Sequence, residues 1–520
     1  MSAVVALSAL IAACGGDDDA ESDSTDAPDS TEASGDTTAP GDTTAPVEGA
    51  SITIALGSEP TSLDPHVVDD GGERAINDNV YETLLTRSAE GELGPGLATA
   101  LPTQVDETTW EFTLQEGVTF HDGTPFTADA VVASVDRMMR LVTEEKTDNS
   151  GFYGTLAGAT AVDDHTVQIM TTGPDGVLPA RMYWLKIVAP GTEASDDLSE
   201  ASNGTGPYTY VGREAGVFVE LAANADYWGG APSVSSVRYE FVTEAGTRLA
   251  GLKSGKYDLI TNLLPNTVDE APKYEAKQGQ EHPVLLLDSD EGITADVNVR
   301  KALNLAVDKE AIAEAIYNGF AAVDEGQVLS PSILGYNDSL SAYAYDPDEA
   351  ARLIEEAGAA GQTITLVGES SGRWLNDRDL VEAIAGYWTA AGLQVDVQTP
   401  EFGAYLDILF DRTNRADAIF VSSSNDILDP DRQLTTYYQA GGIGSSNSDA
   451  DLSALIDDGR AELDPDARAT IYQEAVQLAY DQAYFVWLVS NQDMYGLSER
   501  LSYTPRVDSK LLVKDMSVTG

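Results

Sequence analysis

Residues 110–131 of the chain read WEFTLQEGVTFHDGTPFTADAV and contain the pattern of a strand, a tight loop and the start of a helix. Apolar and polar residues alternate over the first five positions, as in a half-buried strand. Gly123 can supply a positive φ and Pro125 a fixed φ, which suits a tight loop. Thr127 is placed to cap a helix over residues 128–141, where apolar residues recur at helical spacing. The segment therefore predicts a strand–loop–helix unit.

The rest of the globular chain, which is predicted to begin at residue 51, changes in pattern between its two halves. Up to residue 242, short alternating segments predict mainly strands. Beyond residue 296, helices alternate with short apolar strands: helices at 297–307, 309–317, 348–357, 380–391, 406–412, 451–462 and 466–480, and strands at 364–367, 393–397, 418–421 and 485–489. This alternation favours an α/β fold with mixed sheets flanked by helices.

The chain begins with an apolar run and a Cys. Residues 3–13 are uncharged and too short to span a bilayer, which needs roughly 20 residues. Residues 1–13 are therefore predicted to be a signal peptide. The sequence IAAC, which ends at Cys14, resembles the lipobox of bacterial lipoproteins, in which the Cys becomes lipidated. The alternative is an apolar start with an incidental Cys.

Residues 14–50 are predicted to be a disordered, lipid-anchored tether. The segment contains eleven carboxylates and no cation, and the hexapeptide GDTTAP occurs twice in succession. It has too little apolar surface to offset its ordering entropy, and its like charges extend it. We therefore expect it to hold the folded body away from the membrane.

Charge and Cys content exclude several partners. The chain has 29 Lys and Arg against 87 Asp and Glu, and the resulting net charge of −58 repels nucleic acids. It also disfavours anionic membrane surfaces, so we expect membrane contact only through a lipid anchor. One Cys and four histidines spread far apart form no local metal motif, and no metal or cofactor is expected.

One motif suggests catalysis. Residues 368–372 read GESSG, which fits the G-x-S-x-G pattern of a nucleophile elbow between a strand and a helix. That mechanism needs a His C-terminal to Ser370, and no His follows His282. We therefore predict no enzymatic activity and no catalytic residue. A hydrolase that uses Ser370 or acidic residues is the alternative from another class.

Several further blocks have a distinctive residue order. They are residues 58–65 (SEPTSLDP), 80–84 (VYETL), 204–208 (GTGPY), 224–232 (NADYWGGAP), 299–308 (VRKALNLAVD) and 345–347 (YDP). Together with residues 110–131, they resemble in order the family 5 extracellular solute-binding proteins of bacterial ABC importers, which include oligopeptide- and dipeptide-binding proteins. Within these blocks, His121 is predicted to be a structural loop residue, and Trp110, Tyr227 and Trp228 are predicted to pack in the core.

The resemblance implies a periplasmic-binding-protein-like fold, with two lobes around a cleft and an extra domain inserted in lobe I. The implied boundaries are 51–83 and 205–285 for lobe I, 84–204 for the inserted domain, 286–484 for lobe II and 485–520 for a C-terminal return to lobe I. Proteins of this kind close their lobes over a ligand and present the closed form to a permease.

The resemblance also implies a ligand contact in lobe II. Residues 426–430 read DILDP and follow the strand predicted at 418–421. Asp426 falls on the acid that holds the α-ammonium group of the ligand in peptide-binding members of the family. A carboxylate in a desolvated cleft suits an ammonium group physically. The alternative is an acid that caps a helix N-terminus.

Four other residues are predicted to contact the ligand. Arg373 aligns with the arginine that dipeptide-binding members use for the peptide carboxylate, and a surface arginine is the alternative. Trp374, next to it, is expected to form a pocket wall, and packing beneath the turn is the alternative. Ser424 and Asn425 could donate hydrogen bonds to a peptide backbone or a sugar.

These inferences predict a monomeric, lipid-anchored substrate-binding protein of an ABC importer on the outer face of the cell membrane. It would capture oligo- or dipeptides in the cleft between its lobes and deliver them to the permease. The alternative with the same fold binds an oligosaccharide, an opine-like compound or a metal chelate.

Overall fold

The computed structural model describes residues 49–68, 71–199, 202–371, 373–411, 415–442 and 444–519. The predicted signal peptide, Cys14 and nearly all of the predicted tether lie outside these ranges. The first strand within the described ranges begins at Ala50, one residue before the predicted start of the folded body. Within the described ranges, no helix is long and apolar enough to cross a membrane.

Strands and helices alternate through the described chain. The strands are β1 (Ala50–Leu56), β2 (Leu85–Arg87), β3 (Leu93–Pro95), β4 (Thr103–Asp106), β5 (Thr109–Thr113), β6 (Leu156–Asp163), β7 (Thr166–Thr171), β8 (Tyr208–Glu214), β9 (Phe218–Ala223), β10 (Val234–Phe241), β11 (Leu259–Ile260), β12 (Lys273–Gln278), β13 (His282–Leu287), β14 (Ala321–Val323), β15 (Thr363–Val367), β16 (Gln394–Gln398), β17 (Ala418–Ser423), β18 (Phe485–Trp487), β19 (Val489–Leu497), β20 (Leu501–Ser502) and β21 (Ser517–Val518). The α-helices are α1 (Gly71–Val80), α2 (Ala128–Thr143), α3 (Ser150–Tyr153), α4 (Leu178–Trp184), α5 (Ala245–Lys253), α6 (Val297–Leu305), α7 (Lys309–Ala315), α8 (Pro347–Glu356), α9 (Asp377–Ala390), α10 (Phe402–Phe410), α11 (Pro430–Gln433), α12 (Ala450–Ala461) and α13 (Pro465–Gln482).

The largest sheet forms the centre of lobe I. Its strand order is β12-β19-β11-β1-β10-β9-β8, and β14 also pairs with β19. Strand β1 lies in the interior of the sheet and runs parallel to both of its neighbours. Ile52 and Ile54 pack into the core on one face, whereas Ala55 packs into a second core on the other face. Lobe I is therefore covered on both sides of its sheet.

A five-stranded sheet forms the centre of lobe II, with the order β16-β15-β17-β13-β18. Strand β13 is buried along its whole length. Leu285 and Leu287 pack into the core on one face, and Val284 and Leu286 pack into the core on the other. Burial on both faces explains why this strand reads as a continuous apolar run rather than an alternating one.

The inserted domain has a four-stranded sheet, β4-β5-β7-β6, and its own buried core. The predicted strand–loop–helix unit is present as β5, a loop with Gly123 at φ +85°, and α2. Thr127 occupies the N-cap position of α2, but its side chain makes no capping hydrogen bond, so the predicted cap is wrong in that respect. Trp110 is buried in this core, as predicted.

Three of the sequence blocks that carry the family resemblance meet at the carboxylate of Glu82. It accepts hydrogen bonds from the hydroxyls of Thr205 (2.9 Å) and Tyr227 (2.7 Å) and from the indole nitrogen of Trp228 (2.8 Å). Burial raises the pKa of Glu82, and these donors partly offset the rise. Tyr227 is buried, but Trp228 is 39% exposed, so the predicted core packing is wrong for Trp228. The imidazole Nε2 of His121 lies 3.0 Å from a loop carbonyl oxygen, in keeping with its predicted structural role.

Among the described strands, the chain crosses between the two large sheets four times. It leaves the lobe I sheet after β12 and enters the lobe II sheet with β13, so residues 279–281 form the first crossing. It returns to the lobe I sheet with β14, enters the lobe II sheet again with β15, and returns a last time between β18 and β19. The domain boundaries stay predictions. Gln280 and Glu281, at the first crossing, line a cavity.

Candidate functional site

Two adjoining cavities contain the predicted site residues. The smaller cavity has a volume of about 230 Å³, and its lining includes Arg74, Gln280, Glu281, Asp426, Asp493 and Asp508. The larger has a volume of about 590 Å³, and its lining includes Phe152, Arg373, Trp374, Phe402, Tyr405 and Arg432. Ser424 lines both cavities, and we call the two together the cleft. The larger volume alone lies within the range of roughly 300–1,000 Å³ that is usual for small-molecule sites.

Asp426 lies in the smaller cavity and is paired with arginine. Its carboxylate accepts a hydrogen bond from the guanidinium of Arg74, on α1, at 2.9 Å, and Arg432 lies 3.7 Å away. Burial alone would raise the pKa of Asp426, but the two arginines outweigh it and hold the pKa below its usual value. Asp426 therefore stays ionised and forms an ion pair between lobe II and α1.

Asp508 lies in the same cavity and is also paired with a cation. Its carboxylate accepts two hydrogen bonds from Arg506, at 2.8 and 2.7 Å, and one from the hydroxyl of Tyr183 at 3.0 Å. The charge of Asp508 is thus compensated within the protein, like that of Asp426.

Glu281 and Asp493 complete the acidic lining of the smaller cavity. Glu281 accepts a hydrogen bond of 2.5 Å from the hydroxyl of Ser422, and Asp493 accepts one from the hydroxyl of Ser509. Among the described residues, neither carboxylate forms an ion pair. Burial raises the pKa of Glu281, and it raises that of Asp493 to about 6.

Asn425 and Ser424 differ in how their side chains are used. The Asn425 amide donates to Gln433 at 3.1 Å and accepts from the backbone N–H of Asp429 at 3.1 Å. It is only 2% exposed, so it orders the loop after β17. The Ser424 hydroxyl makes no hydrogen bond within the part of the chain that the structure describes, and it lies where the two cavities join.

Arg373 and Trp374 lie together in the larger cavity. Trp374 packs edge-on against Phe402 and Tyr405, with ring centroids 6.4 and 5.8 Å apart. The guanidinium of Arg373 lies 4.8 Å from the centroid of the Phe402 ring. No carboxylate of the described residues pairs with this guanidinium, and the Arg373 side chain is exposed. The larger cavity thus combines an aromatic wall with a guanidinium that forms no ion pair among the described residues.

The segment 426–432, which links the two cavities, is held by arginines from distant parts of the chain. Arg87 donates to the carbonyl oxygens of Ile427 (2.8 Å) and Leu428 (3.1 Å), and Arg181 lies 3.5 Å from Asp431. Leu428 has φ +53°, a strained conformation for a branched side chain. These contacts fix the segment against the inserted domain.

The enzyme motif has no catalytic partner among the described residues. The hydroxyl of Ser370 donates to Glu401 at 3.3 Å, and no histidine hydrogen-bonds to it. In the same ranges, no group of three or more His, Cys, Asp or Glu side chains could hold a metal ion.

Comparisons with known proteins agree with this architecture. The family model "Bacterial extracellular solute-binding proteins, family 5 Middle" matches residues 92–445. Heme-binding protein A of Haemophilus influenzae is 27% identical over 488 residues, which cover 85% of this chain and 87% of that protein. The dipeptide-binding protein of Escherichia coli is 28% identical over 483 residues, which cover 84% and 88%. The structure of the ABC transporter-associated periplasmic binding protein DppA from Helicobacter pylori in complex with the peptide STSA has a TM-score of 0.75 at 24% identity and covers 90% of this chain and 98% of that one.

The match extends over more than half of the chain, and it confirms both the family resemblance and the two-lobe fold. Proteins of this family bind small solutes outside the cytoplasm and work with ABC permeases. This chain belongs to the family 5 bacterial extracellular solute-binding proteins, the substrate-binding components of ABC importers.

Proposed function

We propose that this protein captures short peptides for an ABC importer and holds each peptide across both cavities of the cleft. The observation that carries the proposal is the difference in charge between two adjoining cavities that share Ser424 in their linings. The smaller cavity has an excess of carboxylates, whereas the larger one contains the guanidinium of Arg373, which forms no ion pair with a described residue but lowers the pKa of Glu281 through its charge. A zwitterionic chain complements this arrangement, since its ammonium and carboxylate groups lie at opposite ends.

The carboxylate end of the peptide would bind Arg373. A guanidinium offers two parallel donors that match a carboxylate, and the larger cavity keeps this group near an aromatic wall. Trp374 and Phe402 would supply apolar contacts for side chains of varied shape. Ser424, at the junction of the cavities, is placed to hydrogen-bond the peptide backbone.

The amine end would lie in the smaller cavity, where the sequence-based hypothesis assigns it to Asp426. Asn425 supports the same loop through its hydrogen bonds to Gln433 and Asp429. We further propose that Cys14 is lipidated, that the monomeric protein is tethered to the outer face of the membrane, and that it releases its ligand intact. The lipobox-like sequence before Cys14 and the acidic segment after it support the tether.

Calorimetric titration of the purified protein with tri-alanine and a mixed di- to pentapeptide library tests the peptide proposal. We expect saturable binding that weakens when the ligand is N-acetylated and also when it is C-amidated. In the variant Arg373→Gln, C-amidation of the ligand should no longer weaken binding. Arg378→Gln is the matched control, because Arg378 is exposed on α9 nearby and lines neither cavity. Binding of an uncharged oligosaccharide in place of any peptide would refute the proposal.

A further inference from the structure

The ammonium-binding group of the smaller cavity can be assigned from the pairing of its acids. Asp426 already accepts a hydrogen bond from Arg74 and has a second guanidinium, that of Arg432, within 4 Å. To bind there, a ligand ammonium group would have to displace an arginine from Asp426. The guanidinium of that arginine would then lose Asp426 as a partner. Charge exchange of this kind gains little, because one charge-assisted hydrogen bond replaces another.

Glu281 and Asp493 offer the ammonium group a different environment. Each accepts a hydrogen bond from one serine hydroxyl, and neither forms an ion pair within the described residues. The more distant charges of Arg373 and Arg74 lower the pKa of Glu281 and of Asp493, respectively. Glu281 belongs to the first crossing between the lobes, and Asp493 lies on β19. The charge of Glu281 contributes to the raised pKa of Asp493, so the two groups interact across the cavity. A cation between them would relieve the cost of burying both charges.

Gln280 provides independent support. Its side chain is 8% exposed and lines the same cavity. Its amide makes no hydrogen bond to any residue in the described part of the chain. The amide lies on the cavity wall, where a few polar groups commonly fix the orientation of a ligand. The amide oxygen is therefore available to a ligand donor.

We infer that the ligand's ammonium group binds to Glu281, Asp493 and Gln280 at the base of the cleft, while Arg74 remains on Asp426. The three N–H donors of an ammonium group match the three acceptors that these side chains provide. Asp426 then has a structural role, because it holds α1 against lobe II. The inference rests on the proposed function, since it specifies which end of the peptide each part of the cleft receives.

Calorimetry with tri-alanine and N-acetyl-tri-alanine distinguishes the two acid sites. In the wild-type protein, acetylation should weaken binding about 10- to 100-fold, the loss expected for one charge-assisted contact. The double variant Glu281→Gln/Asp493→Asn should bind both peptides with equal, weak affinity. Asp426→Asn should keep the wild-type ratio between the affinities for the two peptides. Asp396→Asn, an exposed change on β16, serves as the control and should change neither affinity.

Two outcomes would overturn the inference. One is that Asp426→Asn binds tri-alanine and N-acetyl-tri-alanine with equal affinity. The other is that the double variant keeps the wild-type ratio between these two affinities. Failure of tri-alanine to bind at all would refute the peptide proposal but not the cation site, which methylammonium chloride tests separately. At equal ionic strength, methylammonium should raise the melting temperature of the wild-type protein more than sodium does, and the double variant should show no such difference. If the wild-type protein shows no difference either, the cation site is refuted.

Discussion

Asp493 should make the folded protein less stable as the pH rises from about 4 to about 7. Burial raises its pKa to about 6, and the charges of Glu281 and Asp508 add to the rise, while Arg74 and the hydrogen bond from Ser509 oppose it. The folded state therefore binds this proton more tightly than the unfolded chain does, and the stability present below pH 4 is lost as the pH passes through 6. A pKa shift of about two units corresponds to a change of about 3 kcal/mol in the free energy of unfolding, and screening by water reduces this change to about 1–2 kcal/mol.

Urea unfolding of the wild-type protein and Asp493→Asn at pH 4 and pH 7.5, followed by tryptophan fluorescence, measures this cost. We expect the variant to be more stable by about 1–2 kcal/mol at the higher pH and to differ little at the lower. Asp163→Asn is a control for which the expected change in stability between the two pH values has the opposite sign, because a backbone N–H lowers the pKa of the exposed Asp163. Equal effects of Asp493→Asn at the two pH values, or a loss of stability at pH 7.5, would refute the reasoning.

Three further substitutions test the framework of the cleft by the same urea unfolding assay. Arg137→Met should cost about 3–5 kcal/mol, because it leaves the fully buried Asp64 carboxylate without its two guanidinium hydrogen bonds. Arg74→Met should cost about 1–3 kcal/mol, a smaller loss because Asp426 is partly exposed and keeps a second arginine nearby. Gly204→Ala should cost about 1–3 kcal/mol, since an added Cβ would collide with a backbone carbonyl oxygen at the end of α1.

Gly246→Ala is the matched control for the glycine substitution, because no atom of the described residues outside the local helix backbone lies within 4 Å of the position that its Cβ would take. It should leave stability unchanged or slightly higher. A loss as large as that of Gly204→Ala would show that the collision is not the cause. Wild-type stability in Arg137→Met or Arg74→Met would contradict the corresponding ion-pair argument.

The sequence predicts the regular elements of the second half well, because each has a local signature. The strand predicted at 418–421 is β17, and the helix predicted at 466–480 is α13, with ends displaced by a few residues. A capping residue type is not sufficient, however, since the Thr127 hydroxyl makes no capping bond. Trp228 shows a similar limit, because an aromatic side chain can be partly exposed when its indole nitrogen has a buried acceptor.

The site is less predictable because its chemistry depends on pairs that are distant in sequence. The motif around Asp426 identifies the loop, but nothing local indicates that Arg74, 352 positions away, supplies its partner. Glu281 and Asp493 escape notice for the same reason, since carboxylates are abundant in this chain and carry little information singly. Their significance comes from sharing a cavity in which, among the described residues, neither forms an ion pair, and only the folded arrangement reveals this.

The anchoring of segment 426–432 by arginines from elsewhere in the chain limits how its specificity can be redesigned. A biosensor engineer who grafted this segment from another binding protein would leave Arg74, Arg87 and Arg181 facing side chains that do not match them. Modular loop exchange should therefore fail unless these arginines are exchanged with the segment. The same dependence predicts that, in natural relatives, the segment and the three arginine positions change together.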